Sequence, residues 1–68
     1  MYDYSKLFGR MRELKVTHEK LANAIHVSTV TLANKLTGIS EFKQSEIKDC
    51  CVYLRISFAD IPIYFFNC

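Results

Sequence analysis

Residues 17–36 constrain the fold more than any other part of the chain, because two short helical patterns lie there with only a short turn between them. Thr17 and Ser28 precede the two patterns and are good helix N-caps. Gly38 follows the second pattern, where a helix commonly ends. The apolar residues at helical spacing are Leu21, Ala22 and Ile25, then Leu32 and Leu36. This spacing predicts two short helices that pack closely, with Thr31 and Lys35 as alternative inward positions of the second.

Apolar residues at helical spacing also lie on both sides of this stretch. They are Tyr4, Leu7, Phe8, Met11 and Leu14 in a first helix, and Ile47, Cys50, Cys51 and Leu54 in a fourth. The fourth helix is predicted over residues 44–54. Ser57 with Asp60 three residues later resembles a capping box and predicts one more short turn. Gly9, inside the first helix, indicates the close approach of another element.

The C-terminal segment is apolar, and we expect it to be extended because a residue before proline, here Ile61 before Pro62, disfavours the helical region. The sequence therefore predicts an all-α protein: a compact four- to five-helix bundle, one domain over residues 1–68, with an apolar extended tail. The tail is expected either to cover the small core or to form a dimer interface, and different residues can serve each role. The tail residues concerned are Ile61, Tyr64, Phe65 and Phe66.

The composition favours a folded helical protein, since half of the residues are apolar and only two are glycine and one proline. The longest apolar run, residues 61–66, is too short to span a membrane, and no signal-like segment is visible. We therefore expect a cytoplasmic protein without a membrane partner. The net charge is only +2, but eight of the nine Lys and Arg residues lie at or before Lys48. This asymmetry is consistent with a DNA-facing N-terminal two-thirds.

Catalytic and metal-binding patterns are not apparent in the sequence. There is no carboxylate pair, no nucleophile with a base and no glycine-rich phosphate loop, so we expect no enzyme, no cofactor and no small-molecule substrate. Three cysteines, Cys50, Cys51 and Cys68, are expected to be reduced thiols. Their spacing relative to His18 and His26 does not suggest a metal site.

Residues 17–32 resemble the helix-turn-helix of the phage repressor and Cro family, whose usual form is T-Q-x-x-L-A-x-x-I-G-V-S-x-x-T-(I/L). The matching residues are Thr17, Leu21, Ala22, Ile25, Val27, Ser28, Thr31 and Leu32. Residues 6–10, 42–47, 60–62 and 64–66 resemble small Cro-like regulators of Gram-positive temperate phages. The chain departs from the pattern at His26, where the family usually has a glycine with positive φ, and at His18, where it usually has glutamine.

The resemblance implies a lambda-repressor-like DNA-binding fold and a sequence-specific transcription regulator in a bacterial host. It would be a Cro-like repressor that occupies an operator, blocks a promoter and takes part in a lysis–lysogeny switch. The implied partner is double-stranded DNA with a pseudo-palindromic operator. Since two-fold operators are read by two-fold dimers, we expect a homodimer at least on DNA.

The resemblance also implies which residues would meet DNA. Asn34 is the candidate for a bidentate contact to adenine, and Val30 or Ala33 for contact with a thymine methyl group. The residues expected to contact bases are Thr29, Val30, Ala33 and Asn34. Those expected to contact phosphates are Thr17, His18, Ser28, Lys35, Thr37, Gly38, Lys43 and Arg10.

Two other interpretations remain open. The polar face of the second helix in residues 17–36 can be an ordinary solvated surface, and both histidines can be simple surface residues. A helix-turn-helix fold can also bind a protein, as an antirepressor does. The low net charge, the uncharged recognition face and the apolar tail favour that alternative. A steep loss of affinity with salt would distinguish DNA binding from protein binding.

Overall fold

Local capping and apolar periodicity set the helix boundaries. The computed structural model describes residues 2–66, and within them the chain forms five α-helices, one short 3-10 helix and no strand. The all-α prediction is therefore confirmed. The helices are α1 (Ser5–Glu13), α2 (His18–Ala24), α3 (Thr29–Leu36), α4 (Gln44–Leu54) and α5 (Ile61–Phe65), and the 3-10 helix is Phe58–Asp60.

The predicted N-caps of α2 and α3 are confirmed. The Thr17 hydroxyl accepts a hydrogen bond from the backbone N–H of Lys20, with 3.2 Å between Oγ1 and N. The Ser28 hydroxyl accepts from the backbone N–H of Thr31 at 3.1 Å. After α3, Gly38 takes a φ of 86°, which a residue without Cβ adopts at little cost. The two hydrogen bonds fix the start of each helix, and the left-handed backbone of Gly38 follows the end of α3.

The core is formed by the apolar faces that the periodicity predicts. Its members with no more than 3% exposure are Leu7, Met11, Leu21, Ala22, Ile25, Leu32, Cys50, Cys51, Leu54 and Phe65. Helix α2 packs against both α3 and α4, and α1 packs against α5. Helix α3 thus packs mainly against α2.

The prediction of an extended C-terminal segment was wrong, because residues 61–65 form helix α5. Pro62 lies in its first turn, where a missing N–H costs no intrahelical hydrogen bond. Phe65 is only 1% exposed, so its burial offsets the disfavoured helical conformation of Ile61. Ile61 and Tyr64 are half-buried against the core, whereas Phe66 is 46% exposed. The C-terminal segment therefore covers the core and leaves one aromatic side chain at the surface.

The inference drawn from Gly9 was also wrong. A Cβ added at Gly9 would meet no neighbouring heavy atom of the described residues within 4 Å. Gly9 is therefore not required by the close approach of a second element.

The two cysteines of α4, Cys50 and Cys51, are buried free thiols. Burial, together with the nearby Cys51, Glu46 and Asp49, raises the pKa of Cys50 to about 12, and burial also raises the pKa of Cys51. Cys68 lies outside the described residues.

Between residues 2 and 66, no helix has the length and apolar character required to cross a membrane. The same residues contain no cluster of three or more side chains suited to a metal ion.

Candidate DNA-binding surface

Helices α2 and α3 are joined by a tight turn over residues 25–28. His26 adopts the left-handed conformation with a φ of 63°, as expected for the position usually held by glycine. The backbone N–H of His26 donates to Asn23 O at 3.3 Å, and that of Val27 donates to Ala22 O at 3.0 Å. The turn is therefore closed by main-chain hydrogen bonds and sets the angle between the two helices.

The inner faces of α2 and α3 are buried in the core. Ala22 is 2% exposed, and its small side chain lets α2 and α3 approach closely. Leu21 and Leu32 have no exposed surface. Since these residues fix which side of α3 is buried, they also fix which side faces outward.

The outward side of α3 begins at its N-terminus. Thr29 and Val30 are exposed, and Val30 has 71% of its surface accessible. Ala33 and Asn34, one turn further along, are half-buried. The first turn of α3 contains no acidic residue that would repel a phosphate backbone. The structure thus brings the four predicted base-contacting residues onto one helix.

The residues predicted to contact phosphates do not all remain available. Thr17, His18, Thr37, Gly38 and Lys43 are exposed, as is Ser28. However, the Thr37 hydroxyl donates to Ala33 O at 3.0 Å, and the backbone N–H of Gly38 donates to Lys35 O at 3.3 Å. Ile39 and Ser40 direct their backbone N–H groups to Asn34 O. The donors of the segment after α3 are therefore already used in hydrogen bonds to the last carbonyl groups of α3.

Lys35 was predicted to contact a phosphate, but the structure places it at the inward position that the helical spacing gave as an alternative. The residue is 5% exposed, and its Nζ lies 2.9 Å from Oε1 of Glu46. The same ammonium donates to Glu41 O at 3.0 Å. Lys35 follows Leu32 by three residues and precedes Leu36 by one, so helical geometry turns it toward α4. A buried, paired lysine is not a phosphate contact.

Glu46 is ionised in this arrangement. Burial raises its pKa, but the backbone N–H of Lys43, the hydrogen bond from Lys35 and the positive charges of both lysines outweigh that effect and lower it. Lys43 N lies 2.8 Å from Glu46 Oε1. One carboxylate oxygen thus serves the end of α3 and the residue that precedes α4.

Arg10 is likewise engaged away from the α2–α3 surface. Its Nε donates to Leu54 O at 2.9 Å, and its Nη2 donates to Arg55 O at 3.2 Å. Its Nη1 lies 3.6 Å from Glu13. A guanidinium at these carbonyls satisfies the last turn of α4. The prediction that Arg10 contacts phosphate is therefore replaced by a structural role, one that no local sequence signal indicates.

An apolar groove lies on a different part of the molecule. It has a volume of about 420 Å³ and is lined by residues of α4, the 3-10 helix and the C-terminal segment, none of them from α2 or α3. Phe58, 59% exposed, and Phe66 both line it, together with Ile47 and Ile61. Sequence reasoning singled out Phe66 and missed Phe58, whose position in the short 3-10 helix gives no helical stripe.

The comparisons place the chain in one family. The model of the family described as "Protein of unknown function (DUF739)" matches residues 1–68, so the chain belongs to that family. A search of the curated proteins found no match.

Proposed function

We propose that this member of the family is a sequence-specific DNA-binding transcription regulator, a Cro-like phage repressor of the lambda-repressor-like type that acts in the cytoplasm of a bacterial host. The observation that carries the proposal is the α2–α3 unit. Its turn has His26 in the left-handed region, its helices are capped by Thr17 and Ser28, and its buried seam leaves Thr29 and Val30 outward. In a helix-turn-helix, the second helix lies in the major groove with its N-terminal residues at the base edges, and these features of the α2–α3 unit support that role.

The outward side of α3 supports direct readout of bases. Val30 is apolar and highly exposed, which suits contact with a thymine methyl group. Asn34 carries an amide that can donate to adenine N7 and accept from N6. Thr29 at the first position of α3 can hydrogen-bond a base edge or a phosphate. The outward side of α3 is uncharged and thus relies on hydrogen bonds and apolar contact to distinguish one base from another.

Phosphate binding falls mainly to His18 and Lys43. His18 opens α2 and Lys43 precedes α4, and both side chains are exposed. Thr17 and Ser28 contribute by holding the two helix starts. Because Lys35, Arg10 and the donors of Thr37 and Gly38 are used internally, we expect few phosphate contacts and a moderate salt dependence.

The apolar groove supports a second copy of the chain as the partner on DNA. One α3 helix reads only a few base pairs, so a two-fold operator requires two copies. Of the groove residues, Phe58 lies in the 3-10 helix and Phe66 directly follows α5, so neither belongs to α2 or α3. A dimer formed through this groove therefore leaves the recognition side of both copies exposed.

The test of the proposal is selection of bound duplexes from a random pool, followed by affinity measurements over a salt series. We expect enrichment of a pseudo-palindromic sequence, resistance to unrelated competitor DNA, and a Kd that rises moderately with salt, as for a few phosphate contacts. Absence of an enriched sequence would contradict the proposal. In that case the apolar groove would favour the alternative, an antirepressor-like module that binds a protein.

A further inference from the structure

A buried ion pair connects the end of the proposed recognition helix to the next helix. Lys35 lies in the last turn of α3 and Glu46 in the first turn of α4. Their exposures are 5% and 7%, and 2.9 Å separates Lys35 Nζ from Glu46 Oε1. The other ion pair among residues 2–66, between Arg10 and Glu13, lies at the surface with a 3.6 Å separation.

The pair also holds the backbone of the connecting segment. Lys35 Nζ donates to Glu41 O at 3.0 Å, and Glu46 Oε1 accepts from the backbone N–H of Lys43 at 2.8 Å. Within the same segment, the Phe42 ring packs edge-on against Tyr4 and Phe65, with centroids 5.5 and 5.4 Å away. The path from α3 to Lys43 is thus held both by the ion pair and by aromatic contacts.

Stability alone does not account for such a pair. Removing two charges from water is costly, and well-packed apolar residues of similar volume often stabilise a protein as much or more. Breaking only one partner leaves an unpaired buried charge and is strongly destabilising. What the pair supplies and an apolar pair lacks is directional hydrogen bonding to the carbonyl of Glu41 and the N–H of Lys43.

We propose that Lys35 and Glu46 are positioning residues for DNA binding, which hold Lys43 at a fixed place relative to α3. With the segment fixed, Lys43 meets a phosphate when the outward side of α3 meets the bases. The inference rests on the proposed function and assigns the buried pair a part in it. Neither residue touches DNA, and each acts through the geometry of the segment between them.

The test replaces both partners at once, with Lys35→Met and Glu46→Leu, so that no buried charge is left unpaired. We expect the Tm to be preserved, while affinity falls roughly tenfold on all duplexes and the salt slope falls by about 1, as for a lost phosphate contact. Glu13→Gln, which removes the surface pair, is the matched control and should change neither the affinity nor the salt slope. Unchanged affinity and salt slope in the double variant would overturn the inference.

A double-mutant cycle that combines the Lys35→Met, Glu46→Leu variant with Lys43→Gln tests directly whether the buried pair acts through Lys43. In the natural chain this substitution should reduce the salt slope by about 1, and in the Lys35→Met, Glu46→Leu background it should have little further effect. Additive losses would show that the pair does not position Lys43. Should the double variant fail to fold, the same double-mutant cycle is run with Lys35→Leu and Glu46→Met, which also leave no buried charge unpaired, and the same two outcomes apply. Failure of the natural chain to bind DNA refutes the proposed function itself, whereas failure confined to these cycles refutes only the positioning role.

Discussion

At the scale of single residues, the outward side of α3 is defined by which neighbours are buried. Leu32 and Leu36 are buried, and Lys35 is buried beside them with its ammonium paired to Glu46. The remaining surface of α3 is uncharged, so the proposed recognition of a DNA sequence depends on a few neutral side chains. Asn34 is the one among them that can make two hydrogen bonds to one base.

Replacing Asn34 with alanine should weaken binding to the selected duplex by about 1–3 kcal/mol and relax preference for adenine at one position. The measurement is a titration of the duplex and of its single-base variants. Asn23→Ala, on the exposed side of α2, is the matched control and should keep the base preference. Equal loss on every duplex would assign Asn34 to the backbone instead of a base.

His26 in the left-handed region places a side chain where glycine is favoured. His26→Gly should therefore raise the free energy of unfolding by about 0.5–1 kcal/mol, since relief of strain exceeds the entropic cost of glycine. Chemical denaturation measures this change. His26→Ala retains the Cβ and should give no such gain, and a glycine variant less stable than the alanine variant would contradict the explanation.

At the scale of elements, each helix is delimited by interactions within a few residues and then placed by distant ones. In helix α1, Leu7 and Met11 are buried in the core, while a Cβ added at Gly9 would meet open space. The other glycine, Gly38, follows the C-terminus of α3 and differs from Gly9 because its backbone is left-handed.

Substitution of Gly9 by alanine should stabilise the protein by about 0.5–1 kcal/mol, because alanine restricts the unfolded chain and meets no obstacle in the fold. Gly38→Ala is the matched control and should destabilise, since its φ of 86° strains any residue with a Cβ. Thermal unfolding of both variants checks the pair of signs. A destabilised Gly9→Ala variant would show that something in the protein requires the open space at this position.

At the scale of the whole molecule, two features link helices that are distant in sequence: the buried pair between α3 and α4, and the apolar groove beside α5. The first makes stability depend on pH. The second provides the surface by which two molecules are proposed to associate.

The lowered pKa of Glu46 predicts a loss of stability in acid. Its contribution is fully present above its ordinary pKa of 4.5 and disappears as the pH falls through the lower pKa of the folded state. Glu46→Gln should therefore show a smaller decrease in unfolding free energy than the natural chain between neutral pH and acid. Denaturant titrations at several pH values provide the measurement, and parallel pH profiles would contradict the assignment.

Association through the groove predicts that Phe58→Glu gives a monomer and weakens binding to a palindromic duplex toward that of a half-site. Sedimentation and duplex titration measure the two effects. Val52→Glu is the control, because Val52 is 67% exposed on α4 but does not line the groove. A Phe58→Glu variant that associates and binds like the natural chain would exclude this surface as the interface.

The sequence by itself determined most helix boundaries and the α2–α3 turn. Thr17, Ser28 and Gly38 act through hydrogen bonds or backbone conformations that span only a few residues, and α4 was predicted with the limits that the structure shows. The apolar faces were equally predictable, because their spacing repeats with the helix. The left-handed conformation of His26 followed only from the resemblance to the helix-turn-helix pattern, in which this position is usually glycine.

Only the tertiary structure decided the environments of Lys35 and Arg10 and the conformation of the C-terminal segment. Arg10 contacts carbonyls 44 and 45 residues away, and Lys35 is paired across a loop, so no local pattern specifies either contact. Helix α5 forms despite Pro62 because burying Phe65 outweighs a local preference. The physical reason is common to all three: long-range burial and pairing overrule the weak propensities that short stretches of sequence express.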